Sequence, residues 1–437
     1  MPNDVSIAAH QGWIDVARGE VSREVFVSDQ IYRLELARIF ERSWVFLGHE
    51  TEIASAGDYV ARMLGSAPVI LARDAAGTVR AFLNSCRHRG TKLCRADAGN
   101  VRHFVCPYHG WSYELDGRLV TTTFDRHFPQ GTDFSRLGLI PVPRVESYKG
   151  LVFGSWNADI VALPQYLGDF RFYLDAFFAR TPGGMEVLAP PHRWRAKANW
   201  KFGALNFIGD SQHVLTTHVG PTTLDPLRAA QAGLFTPGKD SVQLITDEGH
   251  GCTLTYLNEG LPERTYETTH DAALEALYDR TLAPGQRNLL RRLRVTVGNV
   301  FPNFSFIEST VGHRERAIII RFWQPTGGTE MEIVSWVLAE REATADYKAH
   351  VLKYGPRMFG TAGVFEQDDL ELWASAAAAS SNPVAERLPY GFQTCLPYLD
   401  KPIGDYPGPG RAFRPIDCEI IQFEFMRYWE RVMRSNV

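Results

Sequence analysis

Residues 86–109 read CRHRGTKLCRADAGNVRHFVCPYH. Two donor pairs frame this stretch: Cys86 with His88, one residue between them, and Cys106 with His109, two between them. Each short spacer lets one loop present both donors to the same side, so the four residues can grip a compact centre. Two thiolates and two imidazoles suit a two-iron, two-sulfide cluster, the imidazoles raising its reduction potential above that of an all-cysteine cluster. A structural zinc site is the alternative, but zinc fingers pair Cys with Cys and His with His, the latter three to five residues apart. Here each pair is mixed.

Around this stretch the chain is a succession of short β-type runs divided by Gly and Asp turns: DYVARML, APVILARD, VRAFLN, RHFVCP and GLVFGSW. They predict a small all-β domain over residues 44–157 that carries the donor pairs on its loops. Before it, SDQIYRLELARIFERSW (28–44) has a polar start and apolar residues at helical spacing through Ile31, Leu34, Leu36, Ile39 and Phe40, so residues 1–43 read as a helical segment. After it, residues 158–437 mix helices with strands. LPQYLGDFRFYLDAFFAR reads as a helix, and RERAIIIRFWQPTGGTEMEIVSWVLAE as two antiparallel strands joined by a Gly turn. PRMFGTAGVFEQDDLELWASAAAA reads as a helix with an acidic start, and KPIGDYPGPGRAF as a loop before a closing amphipathic segment. The fold class is therefore α+β: a β domain inserted near the N-terminus of a larger domain whose antiparallel sheet is surrounded by helices.

The 437 residues suffice for two or three domains, and ten Trp and 26 Phe imply a large apolar core. The net charge of -4 offers no basic field for nucleic acid. No apolar run approaches the roughly 18 residues of a membrane span, and MPNDVSIAAHQGW lacks the basic and apolar regions of a secretory signal, so a cytoplasmic location is expected. Cys94, Cys252, Cys395 and Cys418 have no ligand-type neighbours and read as buried free thiols.

A second pattern, NFIGDSQHVLTTH (206–218), holds Asp210, His213 and His218. Asp210 and His213 share a face of a helix; His218 lies about 140° further round an ideal one, so the segment must be irregular for both His to meet one metal. Two His and a carboxylate bind Fe(II) on one face and leave the other for dioxygen and substrate. The carboxylate must come from elsewhere. Glu366, Asp368 and Asp369 in GTAGVFEQDDLELW are candidates among which periodicity does not choose.

The first stretch resembles the Rieske motif, with 17 residues (89–105) between His88 and Cys106, and Arg87, Arg89, Gly90, Gly110 and Trp111 placed as in the oxygenase members of that family. The disulfide of respiratory Rieske proteins has no counterpart, since Cys94 lacks a partner after Cys106. ANWKFGALNFIGDSQHVLTTH and GTAGVFEQDDLELW are similar to the iron-ligand segments of aromatic-ring-hydroxylating Rieske dioxygenase large subunits, of the naphthalene and biphenyl dioxygenase type. The resemblance implies that Cys86 and Cys106 bind one cluster iron, that His88 and His109 bind the other, and that His213, His218 and Asp369 bind the mononuclear iron. It also makes Asp210 a bridge between His109 of a neighbouring subunit and His213. Leu205 and Gln212 depart from the family pattern.

It further implies electrons from NAD(P)H through a reductase and ferredoxin, cis-dihydroxylation of a mono- or polycyclic aromatic hydrocarbon, and an α3β3 assembly with a small β subunit. Asn206, Phe207, Val214, Leu215, Asn303, Phe304 and Phe365 are the expected pocket wall. Arg193, Arg195 and Lys197 alternate along HRWRAKAN and read as a solvated or subunit-facing strand face; were they in the cavity, an aromatic carboxylate such as phthalate would be favoured. A Rieske monooxygenase is the enzymatic alternative. A non-catalytic Rieske electron carrier would leave His213, His218 and Asp369 without a role.

Overall fold

The computed structural model describes residues 12–220, 239–256, 271–291, 293–310 and 316–435. Helix α1 (Asp29–Glu35) starts where Ser28 Oγ accepts from the Ile31 amide, and it continues as one π turn over Leu36–Phe40. Its apolar side, Ile31, Ile39 and Phe40, is buried. So is Glu35, which accepts hydrogen bonds from the indoles of Trp200 (2.9 Å) and Trp429 (2.8 Å) and pairs with Lys201. The Lys201 ammonium lies over the rings of Phe26, Trp200 and Trp429. Burial pulls the Lys201 pKa down, against the attraction of Glu35.

The β domain follows as ten short strands: β1 (Val45–His49), β2 (Asp58–Leu64), β3 (Ala67–Arg73), β4 (Val79–Leu83), β5 (Ala98–Asn100), β6 (Phe104–Val105), β7 (Ser112–Tyr113), β8 (Leu119–Thr121), β9 (Arg144–Tyr148) and β10 (Leu151–Ser155). They form three antiparallel sheets, ordered β4-β3-β2-β5, β8-β7-β6 and β9-β10-β1. A separate apolar cluster, with Ile70, Phe82, Phe104, Trp111 and Tyr113, backs the donor loops.

The larger domain is built on a nine-stranded antiparallel sheet: β11 (Met185–Val187), β12 (His192–Ala196), β13 (Val242–Ile245), β14 (Gly251–Tyr256), β15 (Leu293–Val300), β16 (Phe304–Thr310), β17 (Arg316–Gly327), β18 (Glu330–Glu340) and β19 (Arg411–Phe413). Its order is β11-β18-β17-β16-β15-β14-β13-β19, with β12 also on β18. The β17–β18 hairpin is the one expected from sequence, although Arg314 and Glu315 at its start lie outside the described residues. The stretch 163–180 is a short helix, a 3-10 turn and then α2 (Arg171–Phe178), broken at Gly168.

Asn199 caps α3 (Trp200–Gly209), whose C-terminal residue is followed by Asp210; α4 (Val214–Thr217) is a single turn. The expected helix from Asp210 to His218 is thus confined to that turn, because the chain leaves helical geometry at Asp210 and re-enters it at His213. Among the further helices of the domain are α5 (Ala345–Phe359), α6 (Glu366–Ser380) and the amphipathic α7 (Ile420–Arg434).

Replacing Glu35 with Leu strands the Lys201 charge in the core, and removing one partner of such a pair costs about 3–5 kcal/mol. A marked fall in the denaturation midpoint of the full chain is expected. An unchanged midpoint would show that the pair is dispensable.

Candidate metal centres and substrate cavity

The two donor loops share one backbone design. Gly90 N–H donates to Cys86 C=O and Cys86 N–H to Thr91 C=O; Gly110 N–H donates to Cys106 C=O and Cys106 N–H to Trp111 C=O. Both glycines have φ near +70° (75° and 71°), a region L side chains avoid, so each loop can turn tightly enough to aim its Cys inward. Cys86 and Cys106 are buried, while His88 is exposed and His109 half-buried. The imidazoles meet edge to face at 4.5 Å, and Trp111 stacks on His88 at 5.0 Å with 6° between the planes. This donor set fits a cluster whose inner iron is held by thiolates and whose outer iron is held by imidazoles. Tyr113 Oη accepts from Arg87 N–H (3.1 Å), so its own proton is left for Cys86 Sγ at 3.3 Å.

At the second site three side chains converge. His213 Nε2 and His218 Nε2 stand 3.1 Å apart, and Asp369 Oδ1 lies 3.4 Å from the first and 3.5 Å from the second. Each ring turns its other nitrogen to an acceptor. His213 Nδ1–H points at the Asp210 backbone carbonyl, with the Asp210 carboxylate at 3.5 Å, and His218 Nδ1–H points at Asp368 Oδ2, 3.4 Å away. That arrangement turns both Nε2 atoms toward the place a metal would take, where the Asn206 amide nitrogen also lies 3.3 Å from His213 Nε2. Burial opposes a charged His213, yet hydrogen bonding and attraction to Asp210 and Asp369 raise its pKa to about 10, which marks a site that draws a cation. For His218 burial prevails and the pKa falls. Two imidazoles and one carboxylate form the set that binds mononuclear Fe(II) with open positions.

The three acids of α6 have separate tasks. Asp369 joins the imidazoles, Asp368 orients His218, and Glu366 pairs with Arg321 Nη2 at 2.5 Å. Burial pushes the Glu366 carboxyl up to about 7 against the pull of Arg321.

A cavity of about 200 Å3 opens beside the triad. Its helical side carries Asn206, Phe207, Val214, Leu215, Phe359 and Phe365, and Phe365 packs edge-on against His218 at 4.9 Å. Its floor is one face of the sheet. Residues paired across strands share a face, so the registers Thr253–Val297–Ile307 and Thr255–Val295–Ser309 form two rows beneath the iron ligands.

Residues 43–133 match the Rieske [2Fe-2S] domain, and residues 185–394 match the ring hydroxylating alpha subunit (catalytic domain). The N,N-dimethyl phenylurea N-demethylase subunit alpha of Sphingobium sp. (strain YBL2) is 33% identical, covering 96% of this chain and 93% of its own. The biphenyl 2,3-dioxygenase subunit alpha of Rhodococcus jostii (strain RHA1) is 33% identical, with 90% and 85% covered. The crystal structure of naphthalene 1,2-dioxygenase from Rhodococcus sp. bound to indole superposes with a TM-score of 0.89 at 34% identity, over 95% of each chain. The chain belongs to the alpha subunits of Rieske-type aromatic-ring-hydroxylating dioxygenases.

In this dioxygenase subunit the expected residues Asn206, Phe207, Val214, Leu215 and Phe365 line the cavity, whereas Asn303 and Phe304 do not. Phe304 lies on the opposite face of β16 from Ile307 and Ser309, packed against Phe46 (4.5 Å) and Phe153 (5.8 Å) of the Rieske domain. Asn303 exchanges backbone and side-chain hydrogen bonds with Trp323. Arg193 lies 3.5 Å from Glu332 and 3.9 Å from Asp97, while Arg195 and Lys197 are exposed, all apart from the cavity. Leu205 is buried, and Gln212 donates to the Asp417 carbonyl. All six cysteines are buried and unpaired by disulfides.

The sheet residues of the floor, with Arg321, Phe359 and Ile416, were not expected from sequence. Alternation along GCTLTY, LRVTVGNV and FSFIEST was the available signal. It shows that two faces exist but not which one meets the iron.

Asp369→Ala is expected to abolish mononuclear iron while leaving the cluster's paramagnetic resonance signal. Asp368→Ala should weaken iron binding roughly 10–100-fold, the usual effect of removing a group that orients a ligand. Equal iron affinity in wild type and Asp368→Ala would remove Asp368 from the site. Tyr113→Phe should lower the cluster midpoint potential in a redox titration, because a hydrogen bond to sulfur favours the reduced form.

Proposed function

We propose that this chain is the terminal oxygenase subunit that cis-dihydroxylates an aromatic hydrocarbon ring. One ring double bond, O2, two electrons and two protons give a cis-dihydrodiol, and NAD(P)H supplies the electrons through a reductase and ferredoxin. The observation that carries this reading is the convergence of His213, His218 and Asp369 at one end of an aromatic-lined cavity, in a chain that also bears a Rieske domain. When bound, the cluster supplies electrons singly and the Fe(II) supplies dioxygen activation.

The protein's own residues orient and exclude. The Phe207, Phe359 and Phe365 rings and the Val295, Val297 and Ile307 side chains favour a flat apolar ring over water. Asp210 and Asp368 hold the two imidazoles in the tautomer that offers Nε2. The relatives named for biphenyl and naphthalene dioxygenation support a hydrocarbon of that type for this cavity.

Electron entry is proposed to run between copies, from His109 of one chain to Asp210 and His213 of the next, in an α3β3 assembly in the cytoplasm. Exposed apolar side chains on both surfaces support such a contact. Tyr108, Val105 and Phe124 lie on the Rieske side, and Leu215, Val364 and Leu372 lie beside the iron site. Among the described residues no helix is long and apolar enough to cross a membrane.

Anaerobic purification should yield a two-iron, two-sulfide cluster plus one further iron per chain. With 18O2 and naphthalene or biphenyl, both labelled atoms should appear in one cis-diol. Cluster iron alone, or a singly labelled product, would overturn the assignment. Asp210→Ala should keep the cluster signal and the mononuclear iron yet slow turnover about 10–100-fold; undiminished turnover would exclude the bridge.

A further inference from the structure

The floor of the cavity changes character along its strands. Its first row, Thr253–Val297–Ile307, offers two apolar side chains and a hydroxyl already engaged, since Thr253 Oγ1 donates to the Ile208 carbonyl at 3.4 Å. The second row, Thr255–Val295–Ser309, is different. Thr255 is half-buried and Ser309 buried, yet both hydroxyls keep accessible surface, both residues line the cavity, and neither hydroxyl has a hydrogen-bond partner among the described residues.

This row is also the end remote from the triad. Glu366, one turn before Asp369, pairs with Arg321, and Trp373, one turn after it, packs on Trp323 at 5.9 Å, so α6 holds Asp369 over the Arg321–Trp323 part of β17. Ser309 is paired with Ala317, four residues back along the same strand and about 13 Å from Arg321 at the usual strand rise. Across the strands Val295 pairs with Thr255 on one side and Ser309 on the other, so the two hydroxyls flank it with their Cα atoms about 10 Å apart. No charge accompanies them. Arg294 and Glu308 alternate to the opposite face, where Glu308 pairs with Arg180 at 2.9 Å, and the guanidinium in the cavity wall, Arg321, is taken by Glu366.

We propose that Thr255 and Ser309 are specificity-determining residues that hold a planar, uncharged polar substituent of the ring, such as a carboxamide or a ureido group, at the end of the cavity remote from the iron ligands. This inference rests on the reading of the cavity as the substrate site. A hydroxyl both donates and accepts, so a carboxamide lying over Val295 can present its oxygen to one hydroxyl and its N–H to the other. Hydrogen bonds of about 2.9 Å on each side of the group span most of the distance between the outer strands. A carboxylate finds no counter-ion there and would forfeit its hydration. With the substituent held at that end, the opposite edge of the ring faces the triad, and the two hydroxyl groups are added at the meta and para carbons.

The test compares ligands of matched shape. Dissociation constants for benzamide, isopropylbenzene and benzoate are measured anaerobically on the assembled, iron-loaded enzyme and on Ser309→Ala and Thr255→Val. Each variant should lower the affinity for benzamide relative to isopropylbenzene about three- to tenfold, the loss of one hydrogen bond. Wild type should bind benzoate at least tenfold more weakly than benzamide. A ratio unchanged in both variants, or benzoate binding as tightly as benzamide, would overturn the assignment. The two substitutions are independent, so failure of one to fold leaves the other to judge. Turnover of benzamide by wild type supplies a second readout: a meta–para cis-diol is expected, and an ortho–meta diol would place the substituent beside the iron and overturn the proposal. Naphthalene conversion is assayed on the same wild-type preparation. Its failure would count against the reaction, while the affinity ratios still judge the two hydroxyls.

Discussion

A carboxylate with no water around it ties together three distant parts of the chain. Glu35 lies just before the Rieske domain, Trp200 and Lys201 open the helix that leads into the iron site, and Trp429 lies on the last helix. A buried charge is tolerated only when paired and fully hydrogen-bonded, and the two indole N–H groups and the Lys201 ammonium meet that condition. The orientation of α3 follows from it, since the helix is held at its first turn and delivers Asn206, Phe207 and Asp210 from its far end. The Rieske domain can therefore be inserted between α1 and the sheet without loosening the site, because the segment before it is anchored to the catalytic domain.

The sheet's two faces serve the two halves of the molecule. On β16, Phe304 packs against Phe46 and Phe153 of the Rieske domain, while Ile307 and Ser309 look into the cavity. One strand thus joins the domains on one side and shapes the substrate space on the other. The metal ligands themselves flank α4, His213 just before it and His218 just after it, and the third, Asp369, comes from α6; these elements stand over the cavity face.

The cluster loops were legible in sequence because their geometry is local: Cys86 to His88 and Cys106 to His109 are held within two tight turns. The iron site was legible only in part. Two His five residues apart announced a metal, and the resemblance pointed to Asp369, yet periodicity could not separate three acids within four residues. Their division of labour depends on partners remote in sequence, namely Arg321 for Glu366, His218 for Asp368 and the paired imidazoles for Asp369. The irregularity that two His at this spacing require between Asp210 and His218 is present in the structure. Leaving helical geometry after Gly209 is what lets His213 and His218 face one point, and that benefit exists only once the third ligand is in place.

The sequence by itself determined the chemistry: which donors are soft, which are imidazoles, how tightly each pair is spaced, and the order of helix, β domain and larger α+β domain. Those properties reside in residue types and in spacings short enough for one turn of chain to realise. Tertiary structure alone decided which face of the sheet floors the cavity, which acid joins the iron and that Glu366 pairs with Arg321. Strand alternation offers two equivalent faces, and three acids within four residues offer similar charge. Only packing against elements far along the chain breaks those equivalences.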